Sequence, residues 1–484
     1  MLFNSYIFVL LFLPLSVIIY FLLNHFNLYK CGTAFLCLAS VLFYAYAGLN
    51  TLPLIIISIL FNYGTVKLFD VITSKKLRKT ILSVAIILNV AVLVYFKYSN
   101  FIVDNINNLF NSNFIFKNLI LPLGISFFTF QQIAYLVDSY KNEIENKNFI
   151  DYALLILYFP KLIAGPIVSS NDMFKQIQDT NRKNVNWDNL AKGFHLFVLG
   201  MAKKVLIADV FGSAVNIGFS DVGVLNSIEA IFIMLAYTVQ IYFDFSGYSD
   251  MAIGVSSMLN IDLPVNFNSP YKALTITEFW SRWHITLTGF FTKYIYIPLG
   301  GSRKGKIRTY VNTMIVFLIS GLWHGANWTF ILWGALHGIF MCITKLFKNV
   351  FEKFHPVFNW FLTFGFVNFA WVLFRANSIS DAGLFFRRIL SFDFADIGSG
   401  ISQAFKIIEL EIPFSNIFNG DIPQLIWLLM YSVLAFLLIL GFRNAKEHTD
   451  TFKPTLIKGI VTAVLLVLCI FSFSGMNTFL YANF

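Results

Sequence analysis

Runs of roughly twenty mainly apolar residues recur along this chain from end to end, and a run of that length crosses a bilayer core of about 30 Å as a helix rising 1.5 Å per residue. About a dozen such runs can be counted. The clearest are residues 6–23, 52–69, 81–96, 119–137, 228–245, 328–346, 424–441 and 457–473. Unpaired backbone groups are too costly in hydrocarbon, so spanning segments are helices or closed barrels, and continuous rather than alternating apolar runs select helices. With 57% hydrophobic and 12% charged residues the chain cannot clothe itself in a water-soluble surface. The expected fold class is therefore an all-α polytopic membrane protein in the cell membrane, with about a dozen transmembrane helices.

The first run lacks a basic flank and a small-residue cleavage site, so it reads as a span rather than a signal peptide. Cys31, Cys37, Cys342 and Cys469 lie in or beside apolar runs without metal-ligand spacing and read as buried small hydrophobes. The formal charge of +10 points to topology, not to nucleic acid. Its clusters are three short basic loops: Lys75, Lys76, Arg78 and Lys79; Arg303, Lys304, Lys306 and Arg308; and Lys345, Lys348 and Lys353. All three are expected on the cytoplasmic side. Counting back through three spans puts the N-terminus outside, together with a loop over residues 99–118. No linker, low-complexity tract or repeat divides the chain, so residues 1–484 are expected to form one membrane domain, with a chemistry-bearing core at about 120–340 and C-terminal helices at 341–484. Residues 169–188 and 376–421 lack a strong span. The second stretch looks like an external loop with short interfacial helices.

A break in the alternation lies between Gly247 and Gly300. Asp250, Asp262, Glu278, Arg282 and His284 make this segment too polar to face lipid, yet the chain must return through the membrane there if Arg303 to Arg308 are cytoplasmic. Irregular backbone is tolerated at membrane depth where it lines a protein cavity, which predicts a buried re-entrant region. Polar groups in such a place are candidate functional residues. Three of the seven histidines, His284, His324 and His337, fall there or just after it. A histidine suits general acid–base chemistry, because an ordinary pKa of about 6.5 lets it take a proton from a hydroxyl and return it at neutral pH. His324 is 16 residues from Arg308, roughly 24 Å as a helix, which places it within the membrane. Gly325 beside it would allow close substrate approach, and the Trp323 indole would exclude water. The structural alternatives are an interhelical hydrogen bond for His324, a small-residue packing face for His337, and an interfacial aromatic belt for His284. His25, His195, His355 and His448 sit near span ends or loops and read as solvated or interfacial. Metal binding fits poorly, since 40 residues separate His284 from His324 and no cysteine accompanies them.

Six stretches carry a family resemblance: GISFFTFQQIAYLVDSY from Gly124, YFPKLIAGPI from Tyr158, YFDFSGYSDMAIG from Tyr242, FWSRWHITL from Phe279, YIPLGGSRKG from Tyr296 and GLWHGANWTFILWGALHG from Gly321. With the opening MLFNSYIFVLLFLPL they resemble the bacterial membrane-bound O-acyltransferases, in particular the alginate O-acetylase branch, over roughly the first 340 residues. The resemblance implies a ring of helices around a central tunnel, His324 as the catalytic residue and His284 as its partner. Trp323, Trp283, Arg282, Asn327 and His337 lie in the same stretches and are the candidates for substrate contact. It also implies acetyl-CoA or another acyl thioester as donor, with no permanently bound cofactor. A cell-surface polysaccharide or lipid-linked acceptor, a separate extracytoplasmic acetyltransferase and the surrounding lipids complete the expected partners. D-alanyl transfer to teichoic acid, or lipid or protein acylation, is the alternative reading. A transporter without chemistry would show repeats and midplane charge pairs, which the sequence lacks.

The charge pattern makes the topology testable. A Ser302→Cys variant should react with a membrane-impermeant thiol reagent only when the cytoplasmic face is open, and labelling of intact cells from outside would reverse the assignment.

Overall fold

Seven helices in the computed structural model are long and apolar enough to cross a membrane, among the residues it describes: 1–116, 119–145, 147–405, 423–442, 444, 447, 452–475 and 479–480. The first four are α1 (Phe8–His25), α2 (Tyr29–Ala47), α3 (Leu49–Val71) and α4 (Lys75–Phe110). Shorter helices follow: α5 (Ile125–Tyr140), α6 (Phe149–Leu157), α7 (Ser170–Gln178), α8 (Trp187–Ala202) and α9 (Asp209–Ser220). The long α10 (Ser227–Met258) precedes two one-to-two-turn helices, α11 (Ile276–Arg282) and α12 (Ile285–Phe291). Then come α13 (Lys306–His324), α14 (Trp328–Leu346), α15 (Pro356–Arg375), α16 (Ile379–Ile389), α17 (Gln424–Leu440) and α18 (Leu456–Phe471). The last two are apolar but shorter than a full span. The fold is all-α as expected; among the described residues the apolar helices are these seven and two shorter ones, which does not establish the expected dozen spans. Large exposed side chains such as Leu10, Ile57, Val71 and Ile87 mark faces suited to lipid.

Several boundaries differ from the sequence reading. Lys75 to Lys79 are not a loop but the first turn of α4, capped by Ser74, whose hydroxyl accepts from the Leu77 amide. That helix continues to Phe110, so most of the expected 99–118 loop is helical, ending where Asn111 adopts a left-handed cap. Residues 117–118 lie outside the described residues, as do His448 and 406–421 of the expected external loop. The run over 119–137 becomes helical only at Ile125, because Pro122 and the left-handed Gly124 delay the start. Among the cysteines only Cys469 is buried; Cys31 is exposed and Cys37 and Cys342 are intermediate, as apolar side chains on a lipid-compatible surface can be. Asp250 belongs to α10, not to the irregular segment.

The chain packs as two compact units. One comprises Met1–Leu199, Tyr248–Val265 and Phe452–Val464. Phe8 sits at its centre against Phe43, Phe159 and Phe197. A polar layer ties α3, α4 and α5 together: Asn62 Nδ2 donates to Gln132 Oε1 at 2.8 Å and Asn89 Nδ2 donates to Asn62 Oδ1 at 2.8 Å. Such interhelical amide bonds hold apolar helices in register where no hydrophobic force acts between them.

The other unit comprises Gly200–Gly247, Asn266–Thr451 and Leu465–Phe484. Its frame is the hairpin of α13 and α14, which cross at Gly321 and Gly334. A Cβ on Gly321 would run into the Phe330 carbonyl, and one on Gly334 into the Phe317 carbonyl. Only hydrogen at both positions lets the backbones approach this closely. α15 packs on α14 through stacked Phe340 and Phe366, with centroids 4.1 Å apart. Tyr271 anchors the irregular stretch before α11: its hydroxyl donates to the Thr238 carbonyl at 3.0 Å and accepts from Trp371 Nε1 at 3.1 Å.

This crossing predicts a contrast between two glycines of one unit. Gly334→Ala should destabilise by about 1–3 kcal/mol or more through overpacking. Gly365→Ala on α15, where nothing lies within 4 Å of the added methyl, should be neutral or stabilising by about 1 kcal/mol. Thermal unfolding of the detergent-solubilised variants reads both.

Candidate functional site

His324 is the last residue of α13, and its position follows from the hairpin. The turn between the helices spans only Gly325 to Asn327, because Asn327 immediately caps α14: its Oδ1 accepts from the Thr329 amide at 3.0 Å while its Nδ2 donates to the Asn377 carbonyl at 2.8 Å. His324 is 3% exposed. Its ring is boxed by Trp323, Trp333 and Phe374, with centroids 4.8, 5.1 and 5.0 Å away. Gly325 does not open the site to substrate as the sequence suggested. A Cβ there would overlap the Phe330 ring, so the glycine makes room for an aromatic wall.

His284 reaches the same cluster from the irregular segment. It occupies the left-handed conformation, φ 44° and ψ 53°, between α11 and α12, where helices more often stop on glycine. The backbone on either side is clamped. The Ile285 amide donates to the Asn266 carbonyl at 3.0 Å, Thr286 Oγ1 donates to Asn266 Oδ1 at 2.6 Å, and Phe267 and Trp283 form a single antiparallel bridge. The buried ring, 1% exposed, meets Phe245 edge-on at 4.7 Å and Trp323 at 6.1 Å. The two histidines, 40 residues apart in sequence, thus flank one indole.

His337 lies one layer further along α14. Its Nδ1 accepts from Trp280 Nε1 at 3.2 Å, and its ring packs on Trp333 at 4.7 Å, so Trp333 stands between His337 and His324. Accepting at Nδ1 assigns the ring proton of neutral His337 to Nε2. Trp283 is fully buried among Phe279, Phe267 and Trp371. Arg282 is half-buried and held to Glu278 Oε1 at 2.7 Å and to the Asn268 carbonyl at 3.3 Å. Trp323 is thus at the histidine cluster, whereas Arg282 and Asn327 are engaged in local clamps.

A cavity of about 220 Å³ opens beside this cluster. Trp280, Thr288, Tyr296, Ser320, Met341 and Lys345 line it, with Thr313 and Phe317 along α13. Ser320 is one helical turn before His324. At the far end of the same wall Lys345 Nζ donates to Thr313 Oγ1 at 3.2 Å. The cation on this cavity is therefore Lys345, while Arg303 to Arg308, which follow lining residue Tyr296 in sequence, are not part of its wall. The expected irregular region is real: between α10 and α13 the chain is broken into short pieces. Its polar groups are unequally buried, with Asp262 exposed, Glu278 and Arg282 intermediate and His284 enclosed.

Sequence reasoning missed Asn266, which fixes His284, and Trp280 and Trp333, which organise His337 and His324. The only signal at Asn266 was its place at the head of a polar segment, which does not tell it from other polar residues. The tryptophans had none beyond aromatic density.

The model of MBOAT, the membrane-bound O-acyltransferase family, matches residues 33–380. A peptidoglycan O-acetyltransferase of Helicobacter pylori is 43% identical over 415 residues, 79% of this chain and 78% of the relative. A probable alginate O-acetylase, AlgI, of Pseudomonas aeruginosa is 36% identical over 462 residues, 94% of this chain and 84% of the relative. A teichoic acid D-alanyltransferase of Bacillus subtilis is 27% identical over 280 residues, 54% of this chain and 70% of the relative. The matched span contains all three clustered histidines, the cavity beside them and the irregular segment that carries His284. The chain belongs to the membrane-bound O-acyltransferase family and is a multi-pass membrane acyltransferase.

Proposed function

We propose that this enzyme takes an acetyl group from a cytoplasmic thioester, acetyl-CoA in the simplest case, and passes it outward for O-acetylation of a cell-surface polysaccharide. The observation that carries the reading is the cavity along α13, which extends from Lys345 and Thr313 to Ser320, one turn short of His324. Its walls are mainly apolar, as a thioester arm requires, and Lys345 suits the anionic end of such a donor. The O-acetyl group is favoured over D-alanine because the relatives named as O-acetyltransferases match at higher identity and over more of the chain than the D-alanyltransferase.

The chemistry balances with His324 alone moving the proton. Its neutral ring accepts the proton of the acceptor hydroxyl as that oxygen attacks the thioester carbon. The tetrahedral intermediate collapses by breaking the carbon–sulfur bond, and the imidazolium returns the proton to the leaving thiolate. His284, on the other side of Trp323, orients or polarises the reacting groups. The aromatic box keeps water from hydrolysing the thioester. The acceptor hydroxyl in that step is one presented by a separate extracytoplasmic transferase, whose acetyl ester is then attacked by a polymer hydroxyl, so that the ester passes to the polymer and the transferase recovers its own hydroxyl.

Removal of a general base typically lowers a rate by about 10²- to 10⁴-fold, so His324→Ala should abolish detectable polymer acetylation and His324→Gln should not restore it. A packing histidine, in contrast, would tolerate glutamine, since interhelical hydrogen bonds contribute about 0.6–2 kcal/mol. Base-released acetate from envelope polysaccharide, normalised to membrane protein level, distinguishes the two. Near-normal acetylation in His324→Gln would refute the role.

His284→Ala should depress the same signal strongly at normal protein abundance. Retention of activity would reduce His284 to a structural residue, and released D-alanine in place of acetate would redirect the substrate assignment.

A further inference from the structure

The YFPKLIAGPI stretch has no part in the chemistry above, yet it buries a lysine. Lys161 is 6% exposed in the first unit, on a tight turn between α6 and α7. Two glycines make that turn possible. A Cβ on Gly165 would collide with the Lys161 Cα, and one on Gly124, itself left-handed at φ 68°, would lie 2.6 Å from the Leu162 carbonyl oxygen. The turn is thereby pressed against the start of α5. Lys161 Nζ donates to Gln131 Oε1 at 3.2 Å, and Gln131 is oriented for this by its own donation, Nε2 to the Val168 carbonyl at 2.9 Å.

Among the described residues no carboxylate pairs with Lys161. A buried charge without a counter-charge is expensive, by several kcal/mol even after relaxation, and inside a membrane protein it marks function. Lys161 lines a small cavity of about 10 Å³ together with Phe127, Phe128, Gln131 and Ile167 and no acidic residue. Phe127 and Phe128 belong to the first turn of α5; their amides already donate to the Gly124 carbonyl, so this end of the 16-residue helix contributes its partial positive charge to the space. Lys97 Nζ adds a second ammonium at that turn, 3.4 Å from Ser126 Oγ. A volume near 10 Å³ admits one water-sized atom.

We infer that Lys161, Gln131 and the N-terminus of α5 form an anion-binding site that takes one oxygen of a carboxylate or phosphate group. The neutral amide fixes the ammonium, and the ligand oxygen supplies the missing negative charge. Free oxyanions and the phosphate of an anionic lipid share this chemistry.

The test is a thermal-unfolding titration of the purified full chain in maltoside micelles with sodium acetate, with sodium phosphate, and with phosphatidylglycerol added to the same micelles. Wild type, Lys161→Met and Gln131→Glu are compared, so general ionic effects appear in all three. The expected result is a saturable rise of a few degrees in wild type that both variants lack. Gln131→Glu should also be at least as stable as wild type without added anion, because its carboxylate occupies the position of the missing charge. A response to acetate and phosphate identifies soluble oxyanions, and a response to lipid alone identifies the lipid phosphate. Equal responses in wild type and Gln131→Glu, or none to any probe in wild type, would overturn the site even if Lys161→Met fails to fold. The assay reads binding without turnover, so its outcome is independent of the acetylation reading.

Discussion

The contact on which the candidate site depends is the glycine crossing of α13 and α14. Gly321 and Gly334 let two backbones meet where any side chain would hold them apart. Because the helices touch so closely, the turn that joins them needs only three residues, and His324 at the end of one helix stands over Trp333 on the other. The same proximity puts His337 one turn beyond Trp333 and aligns Ser320 with the cavity wall. Helix packing in a membrane gains little from burial, since lipid is as apolar as a protein core, so van der Waals fit at small residues carries the specificity. Position and stability are therefore set by one feature, and a change there moves the histidines as well as the helices.

His284 is placed by different means. Its segment has no long helix to borrow rigidity from, and its left-handed backbone costs about 1 kcal/mol or more for a residue with a Cβ. What offsets this is a set of short-range polar bonds, chiefly those of Asn266, together with the Phe267–Trp283 bridge and the clamp of Arg282 onto Glu278 and Asn268. Arg282, which the sequence offered as a substrate contact, is part of this scaffolding in the structure. A strained residue held by its surroundings is a common arrangement where a side chain must point in one direction without relaxing. The ring so fixed shares Trp323 with His324.

The sequence made the spanning helices legible because a hydrophobic run of about twenty residues has few other uses. The 328–346 run coincides with α14 to the residue. Boundaries failed where local chemistry overrode hydropathy: Gly124 and Pro122 delayed α5, and the basic stretch at Lys75 turned out to be a helix start because Ser74 caps it. The importance of the 247–300 segment was readable from polar residues that lipid would not accept. Its internal clamps were not, because Asn266 and Thr286 look like any polar pair until the chain folds back by twenty residues. Gly325 shows the limit most clearly. A glycine next to a candidate catalytic residue suggests access, but the space it leaves is filled by Phe330.

Two buried lysines show how the same charge can serve opposite ends. Lys204, on the second unit, is surrounded by compensation: Asp209 Oδ1 at 2.8 Å, Asp244 Oδ1 at 2.5 Å, and Asp244 in turn receives the Leu480 amide at 3.1 Å. There the carboxylates outnumber the ammonium, every group except Asp209 Oδ2 has a partner among the described residues, and the cluster locks α9 to α10. Breaking such a network by removing one member leaves an uncompensated charge and costs about 3–5 kcal/mol, so its role is architectural. Lys161 has one neutral amide and a cavity instead. Lys183, buried as deeply, also lacks a paired carboxylate among the described residues but lays its ammonium on the Tyr20 ring, so what sets Lys161 apart is the cavity beside it together with the missing counter-charge. The difference between a satisfied and an unsatisfied buried cation, in one chain and at similar burial, is what separates a staple from a site.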